Sequence, residues 1–471
     1  MALRIGPWGR ALVITVFGGG SFLAACVGDD PAAGSGTEAD ASTVAASSGA
    51  PSGSSGTPTD GSAACTTPST CNGDSLVRCD GVTLGVCALG CVNGACNSFD
   101  PTGPLAPEEL SPFGLNDVVL DDNLVFDTDD GSVFVVDSTG ALTPLRAPNA
   151  TPDYEASAGI GYRRAADRGI FYFESFTVRH GTRRNFRGAL ALAIVARRAV
   201  VVNGVWTLPC GALGSITKNE GAGTDAASGG GGGGGHLTKG GDGRFSCYPF
   251  YDGSTEAERC VEGGEGGPGG SAVPATPEWA LVGGGRGGDS GLLPGGGGGA
   301  AVQLVSQGLI TVGPGTAEVA AGINVGGCGG SSNGLGGGGA GGMLVLEAPV
   351  FNLLAHAGFA ANGGAGAPAS PSAGDILLSD GQLSKTDWAV SPRAQGCSAA
   401  GGYGGTDSTA PGDAPANPDV TCGGPPNYSL PGGGGGGSVG FVHVVTRNAA
   451  PTTRDPAFFT SPEWSIAALP Q

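Results

Sequence analysis

The chain has 471 residues, with 41 acidic against 22 basic side chains and a formal net charge of −19. That balance argues against nucleic acid as a partner and favours solubility and repulsion from anionic surfaces. Its 95 glycines require an architecture in which backbones approach closely, or else leave the chain disordered, because glycine loses the most backbone entropy on ordering.

The chain opens on an export signal. Arg4 and Arg10 give a positive start, Ala11 to Ala24 is mostly small or apolar, and Leu23-Ala24-Ala25-Cys26 follows. The apolar stretch, about 14 residues, is too short to span a bilayer and suits a signal h-region. This start, 1–25, resembles the signals of bacterial lipoproteins. The resemblance implies cleavage before Cys26, a diacylglycerol thioether on its sulfur and acylation of its new amino group. Several acyl chains on one residue anchor a protein stably. The residues after Cys26 are Val27 and Gly28. In such lipoproteins an Asp in that place retains the protein at the inner membrane, so the resemblance implies the outer membrane. The expected partner at this end is the membrane itself, through the lipid.

Residues 26–64 are the lipidated Cys26 and a disordered linker, 27–64, mostly of Gly, Ser, Ala, Pro, Thr and Asp, with Val27 and Val44 as its larger apolar residues. Such a segment buries no core, and its reach is about 34 Å by the flexible-coil rule. Six cysteines then crowd into 65–96: Cys65, Cys71, Cys79, Cys87, Cys91 and Cys96. Asn72-Gly73, Asp80-Gly81 and Asn93-Gly94 are turn dipeptides of short hairpins. So short a module needs cross-links to fold. Six more cysteines are spread along the rest of the chain: Cys210, Cys247, Cys260, Cys328, Cys397 and Cys422. With Cys26 set aside for lipid the remainder is even, which in an exported protein reads as disulfides. Spacing alone leaves their pairing open.

Residues 97–190 form a β-rich lead-in. Leu124 to Thr128 and Ser132 to Asp137 flank Asp129-Asp130-Gly131 as a hairpin, and Gly169 to Val178 reads as a strand. From about 191 to 471 short β-branched runs alternate with glycine tracts. Leu190 to Val202, Ala301 to Val312 and Met343 to Leu354 share an apolar alternation, a small turn and a second alternation. Ala196, Ser306 and Ala348 hold the same place in that pattern. Val439 to Thr446 is a further run, and Ile323 to Gly327 and Phe359 to Gly364 look like a common exit. Degenerate repeats of strand pairs predict an all-β fold, a parallel β-helix or solenoid with Gly-rich excursions, preceded by the small disulfide-rich module.

This arrangement, carried by Gly342 to Pro349, Phe441 to Thr446 and Ser461-Pro462, resembles a group of uncharacterised Gly-rich secreted proteins and lipoproteins of Gram-negative bacteria. The resemblance covers about 110–465 and is silent on activity.

The tracts Gly229 to Gly235, Gly295 to Gly299, Gly336 to Gly339 and Gly432 to Gly437 admit two readings. One is flexible loops. The other is a packed bundle of extended threefold helices with polyproline II geometry, whose bare backbones exchange hydrogen bonds.

Glycine richness also creates false motifs. Gly330 to Gly334 matches G-x-S-x-G but is followed by no helical pattern. Gly288 to Gly291 imitates a serine-protease loop without an early histidine in a matching context. Gly284 to Asp289 begins a calcium nonapeptide that is not repeated, and Asp127 to Gly131 is a calcium-loop near miss better explained as a hairpin turn. The histidines, His180, His236, His356 and His443, lie in separate segments, and the rung strands carry Glu347 but no Asp. No catalytic residue, metal site or cofactor is expected.

Residues 163–198 carry nine arginines, whereas 117–155 carry nine acids against Arg146. Arg179, Arg183, Arg184 and Arg187 are therefore candidates for an anion-binding face, with acidic polysaccharide as the ligand. The alternative is cross-strand pairing with the acidic hairpin region. Taken together, the sequence predicts a lipid-anchored surface protein with a structural, adhesive or interaction role, its partners being polysaccharide or other surface proteins. The other reading is a carbohydrate-binding protein, or a lyase or hydrolase, on a right-handed β-helix.

Overall fold

The structure, a computed structural model, describes most of residues 70–469. Residues 1–69, the segments 106–114, 182–184, 216–220, 222–229, 251–258, 274–279, 369–379, 390–401 and 415–433, and shorter stretches between them lie outside the described residues. The described part is all-β and divides into two compact units on either side of Asn97.

In the first unit, β1 (Thr70–Asn72), β2 (Ser75–Val77) and β3 (Thr83–Val86) form an antiparallel sheet, and β4 (Cys91–Val92) pairs with β5 (Ala95–Cys96). Gly73, Gly81 and Gly94 take positive φ between these strands. Those are the second residues of the turn dipeptides, where left-handed backbone is needed. Cys71 and Cys91 form a disulfide across the unit, and Cys87 is also disulfide-bonded.

The second unit begins with β6 (Asp117–Leu120), β7 (Leu124–Asp127), β8 (Val133–Val136), β9 (Leu142–Arg146), β10 (Glu155–Ser157), β11 (Ile160–Arg164), β12 (Arg168–Val178) and β13 (Phe186–Arg187). β7 and β8 make the expected hairpin, extended by β9 and flanked by β13. Next come β14 (Ala191–Val202), β15 (Val205–Thr207), an antiparallel pair β16 (Cys247–Phe250) and β17 (Arg259–Glu262), and β18 (Ala301–Ser306), β19 (Leu309–Val312) and β20 (Ala321–Asn324). The chain ends through β21 (Met343–Glu347), β22 (Val350–Leu353), β23 (Ala357–Ala360), β24 (Phe441–Thr446), β25 (Thr453–Arg454), β26 (Phe459–Ser461) and β27 (Ser465–Ala468).

Three parallel ladders run through this unit. One joins β12, β14, β18, β21, β24 and β27. A second joins β6, the end of β12, the end of β14, β19, β22 and β25. The third joins β15, β20, β23 and β26. The repeat read from the sequence is the register itself: Ala196 pairs with Ser306, and Val305 pairs with Glu347, which places Ala348 after Ser306. Ile323 likewise pairs with Phe359. Alternate side chains of the ladders meet in one core, including Leu192, Ile194, Val302, Leu304, Leu344, Leu346, Val442 and Val444. Its lower end is aromatic: Phe126, Phe171, Phe173, Phe176, Phe186 and Trp206 contact one another at 5.0–6.5 Å between ring centres. β14 through Ala196, all of β18 and all of β21 are buried on both faces. The second face of that ladder packs on Leu281 through Ala191, Ala301, Met343 and Val345. Strands buried on both sides read as continuous apolar runs rather than as a clean alternation.

The glycine excursions share one place in this plan. Each leaves the third ladder and returns to the first: 208–300 between β15 and β18, 325–342 between β20 and β21, and 361–440 between β23 and β24. The described tracts are packed. Segment 335–342 is bonded to six others through contacts of 2.8–3.0 Å. Gly337 and Ala340 donate to Gly288 and Gly285, Gly338 and Gly341 to Gly435 and Ser438, and Gly339 and Gly342 to Cys328 and Val325. In return it accepts from Gly231 and Gly234, from Gly296 and Gly299, and from Gly364 and Ala367. Every neighbour is met at a spacing of three residues, the turn of a polyproline II-type helix. Flanking tracts run in both directions, since the partner's number rises with one neighbour and falls with another.

Ladder passes into array without a break. Segment 325–330 bonds segment 360–365 through the amides of Val325, Gly327 and Gly330, onto Ala360, Asn362 and Ala365. The first step is two residues, the strand period, and the second is three. Side chains are excluded where tracts touch. A Cβ at Gly337 would overlap the Gly232 carbonyl, and one at Gly341 the Ala361 carbonyl. The Cys210–Cys328 disulfide, with Cα atoms 5.6 Å apart, ties the exit of β15 to this array.

Candidate binding cleft

Two arginines of the rich segment pair with the acidic one, and others pair with Asp167 and Glu174 inside the rich segment itself. Arg187 on β13 meets Asp127 on β7 at 2.7 Å and lies 4.7 Å from the Phe134 ring centre. Arg197 and Arg198 both grip Glu174, and Arg198 also reaches Asp117 at 3.2 Å. Arg146 is buried, donating to the carbonyls of Gly131 at 2.8 Å and Ala147 at 2.9 Å. Loss of water at that site pulls its guanidinium pKa below the ordinary value. Among the four arginines proposed for anions, Arg179 is exposed beside β6, with its amide on the Leu120 carbonyl. Arg183 and Arg184 lie outside the described residues.

A second polar line crosses the outward face of the first ladder. Arg168 holds Asp167 through two contacts of 2.8 and 3.1 Å and reaches Gln303 at 2.5 Å. Gln303 donates to Glu347 at 2.6 Å. Arg168, Gln303 and Glu347 are buried, so this line is a satisfied interior network.

Of the predicted cysteines, Cys71, Cys87, Cys91, Cys210 and Cys328 are disulfide-bonded. Cys96, Cys247 and Cys260 sit on strands whose side chains are not described, and Cys26, Cys65, Cys79, Cys397 and Cys422 lie outside the described residues. The carboxylates of the calcium-loop near miss face amides: Asp127 accepts from Asp129, Asp130 from Ser132, and Asp129 from Ala189 and Leu190. His443 on β24 accepts or donates at Nδ1 to the Ser465 hydroxyl at 2.6 Å. Burial lowers the pKa of that imidazole, which makes it a poor general base for the serine.

A concave site of the described surface lies at the end of the ladders. It is a cleft of about 350 Å³ lined by Asp407, Arg454, Phe459, Glu463 and Trp464, among others. Its parts come from distant stretches. β25 carries Arg454, β26 carries Phe459, and the turn before β27 carries Glu463 and Trp464. Asp407 arrives from the last glycine excursion, where Thr406 and Thr409 bridge and reverse the chain. The Asp407 amide donates to Ser461 Oγ at 3.1 Å, and the Glu463 amide donates to Asp407 Oδ1 at 2.7 Å. Ser461 in turn donates to buried Asn362 at 2.6 Å. Trp464 is fixed by Phe458, stacked at 6.0 Å between centres, while Arg454 lies 4.8 Å from its ring centre. The outward groups are thus two carboxylates, one guanidinium and aromatic edges on a rigid base.

Sequence reading missed this cleft. Asp407 and Glu463 are far apart in the chain, and only the return of the excursion to β24 brings them together. No family model matches the chain, and no curated protein or solved structure does.

Proposed function

We propose that this chain is a lipid-anchored cell-surface protein with a structural, adhesive or interaction role. Its three ladders are the faces of a parallel β-helix, and the glycine array is a rigid body braced against one corner of that helix. Cys26 carries the anchor at the outer membrane, 27–64 is the tether, and the cysteine module follows the tether in the chain. The observation that carries the role is the six-neighbour packing around segment 335–342. A body cross-bonded on every side holds its surface in a fixed shape, which suits display and contact. The Leu23-Ala24-Ala25-Cys26 motif and the linker support the location.

The test is metabolic labelling with a palmitate analogue in a Gram-negative host, followed by membrane fractionation. The wild-type chain should be labelled and recovered with outer membranes, and Cys26→Ala should be unlabelled and released. Equal recovery of the two in the same membrane fraction would overturn the anchor.

A further inference from the structure

We infer that the cleft between Asp407, Arg454, Glu463 and Trp464 binds a neutral saccharide of one or two rings. The inference rests on the interaction role proposed above and is independent of the anchor. The cleft volume, about 350 Å³, stands at the small end of ligand pockets, roughly 300–1,000 Å³. The chemistry of its rim selects the class of ligand. Asp407 and Glu463 offer only acceptor oxygens at neutral pH, and Arg454 offers only donors. A vicinal diol supplies both roles at once and answers all three groups. Phe459 and the edge of Trp464 give apolar surface for the carbon face of a sugar ring. An acidic sugar meets two carboxylates against one guanidinium, in a chain of net charge −19. An ammonium group in place of a hydroxyl can answer a carboxylate but offers Arg454 no acceptor. A purely apolar ligand would strand three charged groups without water.

The site is also organised in advance. Asp407 Oδ1 is held by the Glu463 amide, and the chain at Asp407 is held by Ser461 Oγ, itself bonded to buried Asn362. Trp464 is fixed between Phe458 and Arg454. Asp407 and Trp464 therefore lose little freedom on binding, which favours recognition of a weakly held ligand.

The experiment is saturation-transfer NMR on the full mature chain. The probes are glucose, galactose, mannose, N-acetylglucosamine and their common disaccharides, with glucuronate and glucosamine as charged counterparts. At least one neutral sugar should show transfer. Glu463→Gln and Arg454→Ala should each weaken it about fivefold, the loss of roughly one hydrogen bond. Arg187→Ala, on a different sheet, should leave it unchanged. Glu463→Gln retains the backbone donor to Asp407, so its effect reads the carboxylate rather than the fold. Absence of transfer from every neutral sugar, transfer unaltered in both cleft variants, or preference for glucuronate or glucosamine would each overturn the inference. None of these results bears on labelling at Cys26, so the two proposals fail separately.

Discussion

The amide of Gly337 bonds the carbonyl of Gly288 at 3.0 Å, and the space a Cβ at Gly337 would fill is taken by the carbonyl of Gly232. Glycine is fixed there by contact. Gly337→Ala should therefore destabilise the protein by about 1–3 kcal/mol, the usual cost of forcing a methyl into a packed site. Ser271→Ala, an exposed side chain on a flanking tract, should change stability by less than about 0.5 kcal/mol. Denaturant unfolding of the two variants under oxidising conditions checks the pair; equal midpoints would contradict the packing.

Cys210 and Cys328 are 118 residues apart in the chain, so their bond closes a long loop in the unfolded state. The double substitution Cys210→Ala with Cys328→Ala should lower stability by about 2–4 kcal/mol. Thermal unfolding with and without the pair measures it, and a midpoint unchanged within error would remove the bond from any bracing role.

His236 lies buried where the first described tract meets β24, its Nδ1 2.7 Å from the Gly341 carbonyl and its ring 4.7 Å from Phe441. Burial lowers its pKa to about 4. The native state therefore holds this imidazole neutral while the unfolded chain takes up a proton below about pH 6.5. The unfolded state binds more protons between those values, so stability from this group is complete above pH 6.5 and lost as pH falls towards 4. Its full size is on the order of 3 kcal/mol. His236→Gln should flatten the stability profile between pH 4 and 6.5, and a slope equal to wild type in that window would rule the group out.

Arg168 and Gln303 meet at 2.5 Å inside the protein. Gln303→Met keeps the shape but removes an acceptor from a buried guanidinium and a donor from Glu347. The expected cost is about 1–3 kcal/mol, read by chemical denaturation. A neutral result would mean that other groups take over both bonds.

The all-β class and the strand repeat are legible in the sequence. The shared turn at Ala196, Ser306 and Ala348 gave away the ladder register, because the pleat fixes side-chain direction at a period of two. The hairpin around Asp129-Asp130-Gly131 was legible from turn chemistry. The state of the glycine tracts was not. A run of glycine has no side-chain pattern, and its order depends on six neighbours, five of them brought from other excursions. The cleft was equally silent: Asp407 and Glu463 meet only through the chain path, and Trp464 carries no motif. Arg187 stands out in the sequence for its charge, yet its partner Asp127 follows from the pairing of β13 with β7, a non-local choice.

The most direct test of the account is hydrogen exchange followed by mass spectrometry on peptides covering 335–342, compared with 301–306 of β18. Amides bonded on every side open only with the unit as a whole. The account predicts protection of the glycine tract within about tenfold of the strand. Exchange of 335–342 at the rate of an unstructured peptide, with β18 still protected, would contradict it.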